Sequence, residues 1–434
     1  YGSEEWLLAD IVANILSNKG EAGLLDLNIN NAQKALYATA FSVGLNQYGY
    51  FSAVIVPKED QTLDEGVTML LEEIEKVKNG DFSDWLLPAI VNDFKLQRLK
   101  GLETADGLAT NLYQTFIRKQ SWKDELDEME RFQNVTKDDV VKFANEFFKD
   151  NYVAVFKEKG VNEDLIRVEN PGITPVKINR DEKSEFLKEI QSIKSEEIEP
   201  EFIDYQKEIK TDEIEGKKVS FVKNKYNDVA QVHYIFPFGS DHDRELALAT
   251  MVLQYLGTDK FSTEEPKKEF YKIGVSNDFK TAPDQLIISL TGLEENLEKG
   301  IELLHQWLQN AVPDQEVYEK YVQTILESRD AAKKDKTRIM RAVQDYAKFG
   351  KESRLRDVIS KERLFEIRCE EMTEKMRNLF SFPYEIFFYG VDFEKFKQYS
   401  EPFIQNQEFE IPARKKYPEP ATKGKVYFVN YDMV

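Results

Sequence analysis

Cysteine and histidine are scarce in this chain of 434 residues, which has one cysteine, Cys369, and three histidines. A single thiol excludes an internal disulfide and any zinc site built from several cysteines. Long apolar runs are also missing, because stretches such as residues 51–57 fall far short of the roughly 20 residues that cross a bilayer. We therefore expect a soluble protein without a membrane span, in a bacterial periplasm or in the cytoplasm, and the sequence does not decide between these compartments.

Basic residues are also fewer than acidic ones. The chain carries 59 basic and 79 acidic side chains, a formal net charge of -20 at pH 7. At long range this excess repels nucleic-acid phosphates and anionic lipids, so we expect no nucleic-acid partner. A neutral or basic polypeptide is compatible with the charge, although an acidic excess can serve solubility alone. Hydrophobic residues, at 41%, are numerous enough for two or three separate cores.

An internal repeat with an offset of about 235 to 240 residues organises the chain. Apolar residues recur at helical spacing from Leu8 onward, and the same pattern returns 240 positions later from Leu248 onward. After the first set, residues 51–56 predict a strand and residues 63–77 an amphipathic helix. Residues 285–308 predict the matching strand and helix of the second set. The pattern indicates two copies of one structural unit.

Helix-capping residues extend the repeat. Thr136, with Asp139 three residues later, predicts the start of a helix that leads into a strand at residues 152–156. The matching helix is predicted to open at Met372, and the matching strand to cover residues 385–389. Both copies therefore end in the same helix–strand order.

A third similarity joins residues 216–222 to residues 424–429, and each is predicted to form a strand. Together these elements predict an α+β fold of repeated domains, each with a mostly antiparallel or mixed sheet and with helices packed on one face. Between the copies, residues 160–216 are rich in Lys, Glu and Ile and contain Pro175 and Pro200. This composition predicts an exposed linker with one short helix.

The arrangement resembles the M16 family of zinc peptidases (pitrilysin or insulinase-like), in which two halves of two related α+β domains each close around a peptide. The resemblance implies that residues 1–158 are a second domain, 159–216 a linker, 217–400 a degenerate third domain and 401–434 the start of a truncated fourth. The chain would then be a fragment of a longer protein, and the lack of an initiator Met favours the same expectation.

The resemblance also implies where a zinc motif would lie. The family's catalytic first domain carries H-x-x-E-H shortly before a Gly-Thr step; the histidines hold the ion and the glutamate polarises the attacking water. Counted back from Gly257 and Thr258, the positions of the first His, the Glu and the second His are taken by Leu248, Met251 and Val252. None of these side chains can bind zinc or transfer a proton at neutral pH. We expect no metal site and no catalytic residue in this chain, and zinc in a catalytic domain outside it.

Two partial matches to a metal site remain. Glu327 falls about where the family's third metal ligand would follow, but without the histidines we interpret it as a solvated or salt-bridged helix carboxylate. His242 and Glu245 match H-x-x-E, yet the next position is Leu246, and Gly239 upstream predicts a loop. We interpret this second match as coincidence.

The other reactive side chains are interpreted as structural. His233 alternates with apolar residues in a predicted strand, and His305 lies on a predicted helix with no second histidine one turn away. Cys369 is predicted to be a small core or boundary residue, and Ser262 with Glu265 a capping box. A basic cluster could contact a phosphate or a peptide carboxylate, but a solvated helix face is favoured. The cluster comprises Lys333, Lys334, Lys336, Arg338 and Arg341.

By the resemblance, we expect the chain to be the non-catalytic, substrate-enclosing portion of a zinc metalloendopeptidase that cleaves peptides. Its partners would be a peptide or unfolded polypeptide substrate and the catalytic domain of the parent protein. The alternative is an inactive scaffold or polypeptide-binding subunit that acts with a separate partner. An H-x-x-E-H segment within about 200 residues upstream, a typical domain length, distinguishes the two. The sequence does not identify substrate-binding residues.

Overall fold

The computed structural model describes residues 1–18, 22–158, 160, 172, 174–175, 179–194, 199–262, 265–405, 409–417 and 424–431. The chain forms two compact units: the first combines Tyr1–Ala154 with Ile209–Tyr431, and the second contains Val155–Glu208. Every strand of the described residues belongs to the first unit.

The first half of this unit surrounds a two-stranded antiparallel sheet with helices. The sheet pairs β1 (Tyr37–Gly44) with β2 (Gly49–Val56). A π-helical turn covers Asp26–Asn31. The helices are α1 (Glu4–Leu16), α2 (Leu63–Asn79), α3 (Leu86–Leu102), α4 (Ala105–Ile117), α5 (Trp122–Gln133) and α6 (Lys137–Phe147).

Local sequence explains where these helices begin. At α6, the backbone N–H of Asp139 donates to Oγ1 of Thr136 at 3.3 Å, and the N–H of Thr136 donates to Oδ2 of Asp139 at 3.0 Å. The predicted capping box at this position is confirmed, and Thr62 with Glu65 forms another at α2. Such boxes satisfy N–H groups that a helix leaves without partners in its first turn.

In the second unit, the described helices are α7 (Glu185–Ser192) and α8 (Tyr205–Glu208), and neither has a buried residue. Both lie in the range that the sequence predicts as a linker. Pro175 and Pro200 are described there without helix or strand. β3 (Lys210–Ile214) falls in the same predicted range, but it pairs with the main sheet of the first unit.

The second half of the first unit contains a mixed sheet of six strands in the order β3-β4-β8-β5-β7-β6. β4 and β8 are parallel, and the other neighbours are antiparallel. The strands after β3 are β4 (Lys217–Lys223), β5 (Val229–Phe236), β6 (Val275–Thr281), β7 (Leu286–Leu293) and β8 (Glu385–Gly390). The predicted strands at 216–222, 285–290 and 385–389 are thus confirmed.

The second half of this unit also contains helices. They are α9 (Arg244–Leu253), α10 (Glu265–Lys272), α11 (Glu294–Asn310), α12 (Gln315–Ala332), α13 (Lys336–Phe349), α14 (Lys361–Glu366), α15 (Cys369–Arg377) and α16 (Phe393–Ser400). Short 3₁₀ helices cover Gly350–Glu352, Arg354–Arg356, Leu379–Ser381 and Glu401–Phe403. None of the helices in the described residues has both the length and the apolar character needed to cross a membrane.

Alternation along the strands fixes the core. In β7, every second residue from Leu286 is buried while its neighbours are partly exposed, so one face of the sheet lies in the core and the other is more accessible. Leu297, Ile301 and Leu304 of α11 are fully buried in the same cluster. The α+β class and the helices on one face agree with the sequence-based expectation.

Three predictions of local structure are wrong. Residues 152–156 and 424–429 are described without strand pairing, and most of their apolar side chains are exposed. An extended segment becomes a strand only when a neighbouring strand accepts its hydrogen bonds. The helix predicted to open at Met372 begins at Cys369, because Glu371 accepts a hydrogen bond from the N–H of Arg368 and caps the earlier turn.

Candidate functional site

The three positions of the expected zinc motif lie on α9. Asp243 caps this helix, with Oδ1 accepting the N–H of Glu245 at 2.9 Å. Leu248 and Val252, one turn apart, are buried in the core of the sheet domain, at 6% and 0% exposure. Met251 is 40% exposed. The inward face of α9, which contacts α15 and β6, is therefore apolar at these positions.

The Gly-Thr step after α9 has a structural explanation. A Cβ on Gly257 would lie 2.3 Å from the carbonyl oxygen of Phe261, so only glycine fits this tight turn. Thr258 Oγ1 accepts the N–H of Phe261 at 3.1 Å and holds the turn closed. The indole of Trp307 donates to the carbonyl of Leu256 at 3.1 Å from the core side.

The side chains at the three motif positions do not fit a zinc ion. Zinc in proteins is bound by thiolate, imidazole or carboxylate groups. Leu248 and Val252 offer hydrocarbon, and the thioether of Met251 is a ligand that suits softer metals. Within the part of the chain that the structure describes, no group of three or more His, Cys, Asp or Glu side chains could hold a metal ion.

The first turn of α9 and the loop before it lie in a dense set of ion pairs, here called the α9 charge network. Its centre is Asp241, whose side chain is fully buried. Arg354 donates to it from Nε at 3.1 Å and from Nη2 at 2.9 Å, and Arg414 donates at 3.3 Å. The network comprises Asp241, Asp243, Arg244, Glu245, Arg354, Asp357, Arg363, Glu371, Lys375, Arg414, Lys415 and Tyr417.

Asp357 forms a second centre of this network. Arg244 contacts it at 2.9 Å and Lys415 at 2.8 Å, and the Tyr417 hydroxyl donates to the same carboxylate. Burial alone would raise the pKa of Asp357, but the hydrogen bonds from Lys415, Tyr417 and Arg244 outweigh it and hold the pKa well below its usual range. The carboxylate is thus committed to structural pairing at neutral pH.

The H-x-x-E match is built into the same network. Glu245 pairs with Arg363 at 2.9 Å, and Asp243 pairs with Lys375 at 2.6 Å. His242 Nδ1 accepts the N–H of Gly239 at 3.2 Å in the loop between β5 and α9. Leu246, the position that would need the second histidine, is buried. Each of these side chains has a structural contact, and their arrangement does not form a ligand set.

Glu327 lies on α12 and is half-buried, so it is less solvated than the sequence suggested. Its Oε2 is buried, and no hydrogen-bond partner for this atom lies among the described residues. A buried carboxylate oxygen without a partner carries a desolvation penalty. Glu327 belongs to no group of three or more metal-ligating side chains in the described part of the chain.

Two histidines are packed as structural residues. His305 on α11 lies between the rings of Phe380 and Phe403, with centroids 4.4 and 4.8 Å away. Burial lowers the pKa of His305 to about 4, and its Nε2 has no partner among the described residues. His233 on β5 shares a hydrogen bond of 2.7 Å with Ser289, and burial lowers its pKa as well. Both imidazoles are therefore neutral at pH 7.

The remaining candidates also have ordinary surroundings. Cys369 is fully buried, and burial raises the pKa of its thiol to about 11. The N–H of Ser262 donates to Oε2 of Glu265 at 2.7 Å at the start of α10. All members of the basic cluster are exposed around the turn between α12 and α13, and Lys333 pairs with Asp330 at 2.7 Å. The cluster lies on an open helix surface.

Sequence reasoning missed the α9 charge network. Arg354 and Arg414 are 113 and 173 positions away from Asp241, and no local pattern links charges at such separations. The only signal was the density of acidic residues in the loop around Asp241 and Asp243, which by itself predicts an exposed loop.

No protein-family model matches the sequence, and no curated protein matches it. Among solved structures, the periplasmic protease PqqL from Escherichia coli is similar at 14% identity and a TM-score of 0.43, over 96% of this chain and 48% of that protein. A mutant of the ferredoxin protease FusC, in complex with Arabidopsis ferredoxin, is similar at 13% identity and a TM-score of 0.43, over 96% and 49%. A peptidase M16 inactive domain from Pseudomonas fluorescens is similar at 15% identity and a TM-score of 0.41, over 49% and 54%. The chain spans about half the length of each of these structures, which are distant likenesses of fold.

Proposed function

We propose that this chain is the non-catalytic, substrate-enclosing portion of an M16-type zinc metalloendopeptidase that cleaves peptides. One observation carries the proposal. Where the family motif would present two imidazoles and a carboxylate, α9 carries Leu248 and Val252 in the core and Met251 at the surface. The helix thus contributes packing energy at the positions where a catalytic helix would contribute ligands.

The packing at these positions supports a permanent structural role. Full burial of a Leu or Val side chain contributes about 1.5–3 kcal/mol, whereas a buried imidazole without a partner would be destabilising. Zinc would therefore be held by a catalytic domain outside these 434 residues. The side chains of this chain would confine the polypeptide substrate and exclude water during closure.

The domain assignment is part of the same proposal. Residues 217–400 would form the degenerate third domain, and the sheet that runs from β4 to β8 supports this range. Residues 1–158 would be the second domain, 159–216 the linker, and 401–434 the start of the fourth. β3, within the linker range, would be the point at which the linker joins the third domain.

Zinc content and peptide hydrolysis test the proposal when they are measured on this chain and on its parent protein side by side. The chain alone should contain no stoichiometric zinc and should leave a quenched fluorescent peptide intact. The parent should hold zinc and cleave the peptide. Met251→Leu in the parent should leave its rate unchanged, because Met251 would have no part in catalysis.

Two results would count against the proposal. Tightly bound zinc in the chain alone, lost in a Glu327→Gln or His242→Gln variant, would show a metal site within these residues. A parent without zinc and without an H-x-x-E-H segment would favour the scaffold or polypeptide-binding subunit instead.

A further inference from the structure

The small sheet of the first half has an unusual composition. Neither β1 nor β2 contains a charged residue, although 32% of the whole chain is charged. Two strands alone form a marginal sheet in water, and exposed strand edges are commonly protected by charges, proline or a covering segment. The outer edge of β1 and the outer edge of β2 differ in how they are protected.

The outer edge of β1 is capped by a side chain at Ala38. Oδ1 of Asn30 accepts the N–H of Ala38 at 2.7 Å, and Nδ2 of Asn30 donates to the carbonyl of Ala38 at 2.8 Å. The amide of Asn30 thus takes the place that a neighbouring strand would occupy, and it satisfies both backbone groups of Ala38.

The outer edge of β2 is open with respect to the described residues. The N–H of Leu45 donates to the carbonyl of Tyr48 at 2.8 Å across the turn. The register pairs Val43 with Tyr50, and from the turn onward hydrogen-bonded pairs alternate with pairs that are not hydrogen-bonded. The N–H and C=O groups of Phe51, Ala53 and Ile55 therefore point away from β1. Among the described residues, no strand other than β1 pairs with β2.

The edges of the six-stranded sheet are protected differently. β3 carries Asp212 and Glu213, and β6 carries Asp278 and Lys280. Charges at these positions oppose the addition of a further strand. β2 has no charged residue. Charge therefore does not protect its outer edge against the addition of a further strand.

The internal repeat shows what fits on the β2 edge. β7 is the counterpart of β2, since each is the second strand of a hairpin and is followed by a long amphipathic helix, α11 or α2. On the edge of β7 that corresponds to the open edge of β2 lies β5, in antiparallel register. β5 has no charged residue, and its alternate side chains are buried.

We propose that the open edge of β2 binds an extended polypeptide strand from outside these 434 residues, antiparallel to β2 and with the chemistry of β5. The strand is uncharged, is apolar at alternate positions, and forms main-chain hydrogen bonds to Phe51, Ala53 and Ile55. The inner side chains of β2 are already placed for it, with Phe51 packed edge-to-face on Phe148 at 4.9 Å. This inference does not depend on the proposed peptidase function.

Hydrogen–deuterium exchange of the intact chain tests the proposal, with a synthetic peptide of residues 229–236, the β5 sequence, as the probe. The peptide should slow exchange at Phe51, Ala53 and Ile55 by about tenfold or more, because these amides would gain partners. Exchange at Ala38 should stay unchanged, since Asn30 already bonds that amide. A peptide with proline at the positions of Val232 and Tyr234 should have no effect.

Ala53→Pro is the matched variant of the protein. It removes one outward N–H and leaves the ladder between β1 and β2 in place, so its melting temperature should stay close to that of the wild type. The variant should bind the peptide at least about tenfold more weakly, because one backbone hydrogen bond is lost and the proline ring blocks the neighbouring ones.

Three outcomes would overturn the proposal. The first is unchanged exchange at Phe51, Ala53 and Ile55 at saturating peptide concentration. The second is equal peptide binding by the wild type and Ala53→Pro. The third is a concentration-dependent dimer of the wild type that disappears in Ala53→Pro, which would show that a second copy of the chain occupies this edge.

Discussion

Arg354 donates two hydrogen bonds to the buried carboxylate of Asp241, from Nε at 3.1 Å and from Nη2 at 2.9 Å. The pair joins the loop before α9 to a 3₁₀ turn that lies 113 positions later. Arg414, from the segment at residues 409–417, reaches the same carboxylate at 3.3 Å. The α9 charge network therefore links three distant parts of the chain through the buried carboxylate of Asp241.

We expect Arg354→Ala to lower the free energy of unfolding by about 1–3 kcal/mol, because it removes the main partner of a buried charge. Urea denaturation measures the change. The double variant Arg354→Ala with Asp241→Asn should recover part of the loss, since the buried charge is then removed too. Additive losses in the double variant would contradict this account.

Glu327→Gln should stabilise the protein by up to about 1 kcal/mol, because it removes charge from a carboxylate whose Oε2 is buried and has no hydrogen-bond partner among the described residues. Thermal and urea unfolding at pH 7 measure the effect. Glu316→Gln serves as a control, since this exposed carboxylate on the same helix pairs with Lys320. A clear destabilisation by Glu327→Gln would show that the Glu327 carboxylate has a partner that stabilises its charge.

His305→Leu should make the stability less sensitive to acid. The pKa of His305 is about 4 in the fold and 6.5 in the unfolded chain, so the unfolded chain takes up the proton first as the pH falls. Stability from the neutral imidazole is complete above pH 6.5 and is lost as the pH decreases from 6.5 toward 4. By linkage the loss at pH 5 is about 2 kcal/mol.

The measurement is urea unfolding of the wild type and His305→Leu at pH 8 and at pH 5. The stability difference between the two proteins should shift by about 2 kcal/mol in favour of the variant at the lower pH. An equal difference at both pH values would contradict the buried, neutral state of His305.

Asn30→Ala should destabilise the first half of the chain by about 1–2 kcal/mol, because the N–H and C=O of Ala38 lose both partners. The open β1 edge should also promote association, which light scattering can follow as a function of concentration. Asn30→Asp is the informative comparison: it keeps an acceptor for the N–H of Ala38 but loses the donor to its carbonyl. Exchange at Ala38 that stays as slow in Asn30→Ala as in the wild type would contradict the edge-closing role.

Sequence patterns located part of the regular structure. The spacing of apolar residues identified β2, α2, β7 and α11, and the capping residue Thr136 located the start of α6. β1 was not predicted, because Ala38, Ala40 and Ser42 give its inner face little apolar contrast. Residues 152–156 have the β-branched and aromatic composition of a strand but no described partner, so their composition alone misled.

The candidate site also has features that the sequence predicted and features that it could not predict. The apolar identity of Leu248, Met251 and Val252 could be seen in the sequence, because a side chain's ability to bind a metal depends on its own atoms. The burial of Leu248 and Val252, and the unpartnered oxygen of Glu327, depend on which helices and strands surround them. No spacing along the chain encodes those neighbours.

The sequence by itself determined the α+β class, the repeat of its elements and the inability of Leu248, Met251 and Val252 to act as a zinc motif. Each of these follows from residue type and local periodicity. Only the tertiary structure decided that Asp241 is the buried centre of a charge network, that Asn30 caps the edge of β1 at Ala38 and that the outer edge of β2 has no partner strand among the described residues. The charge network depends on contacts between residues that are distant in sequence. The state of each strand edge depends on which side chains and segments lie beside it, and both kinds of contact exist only after the chain has folded.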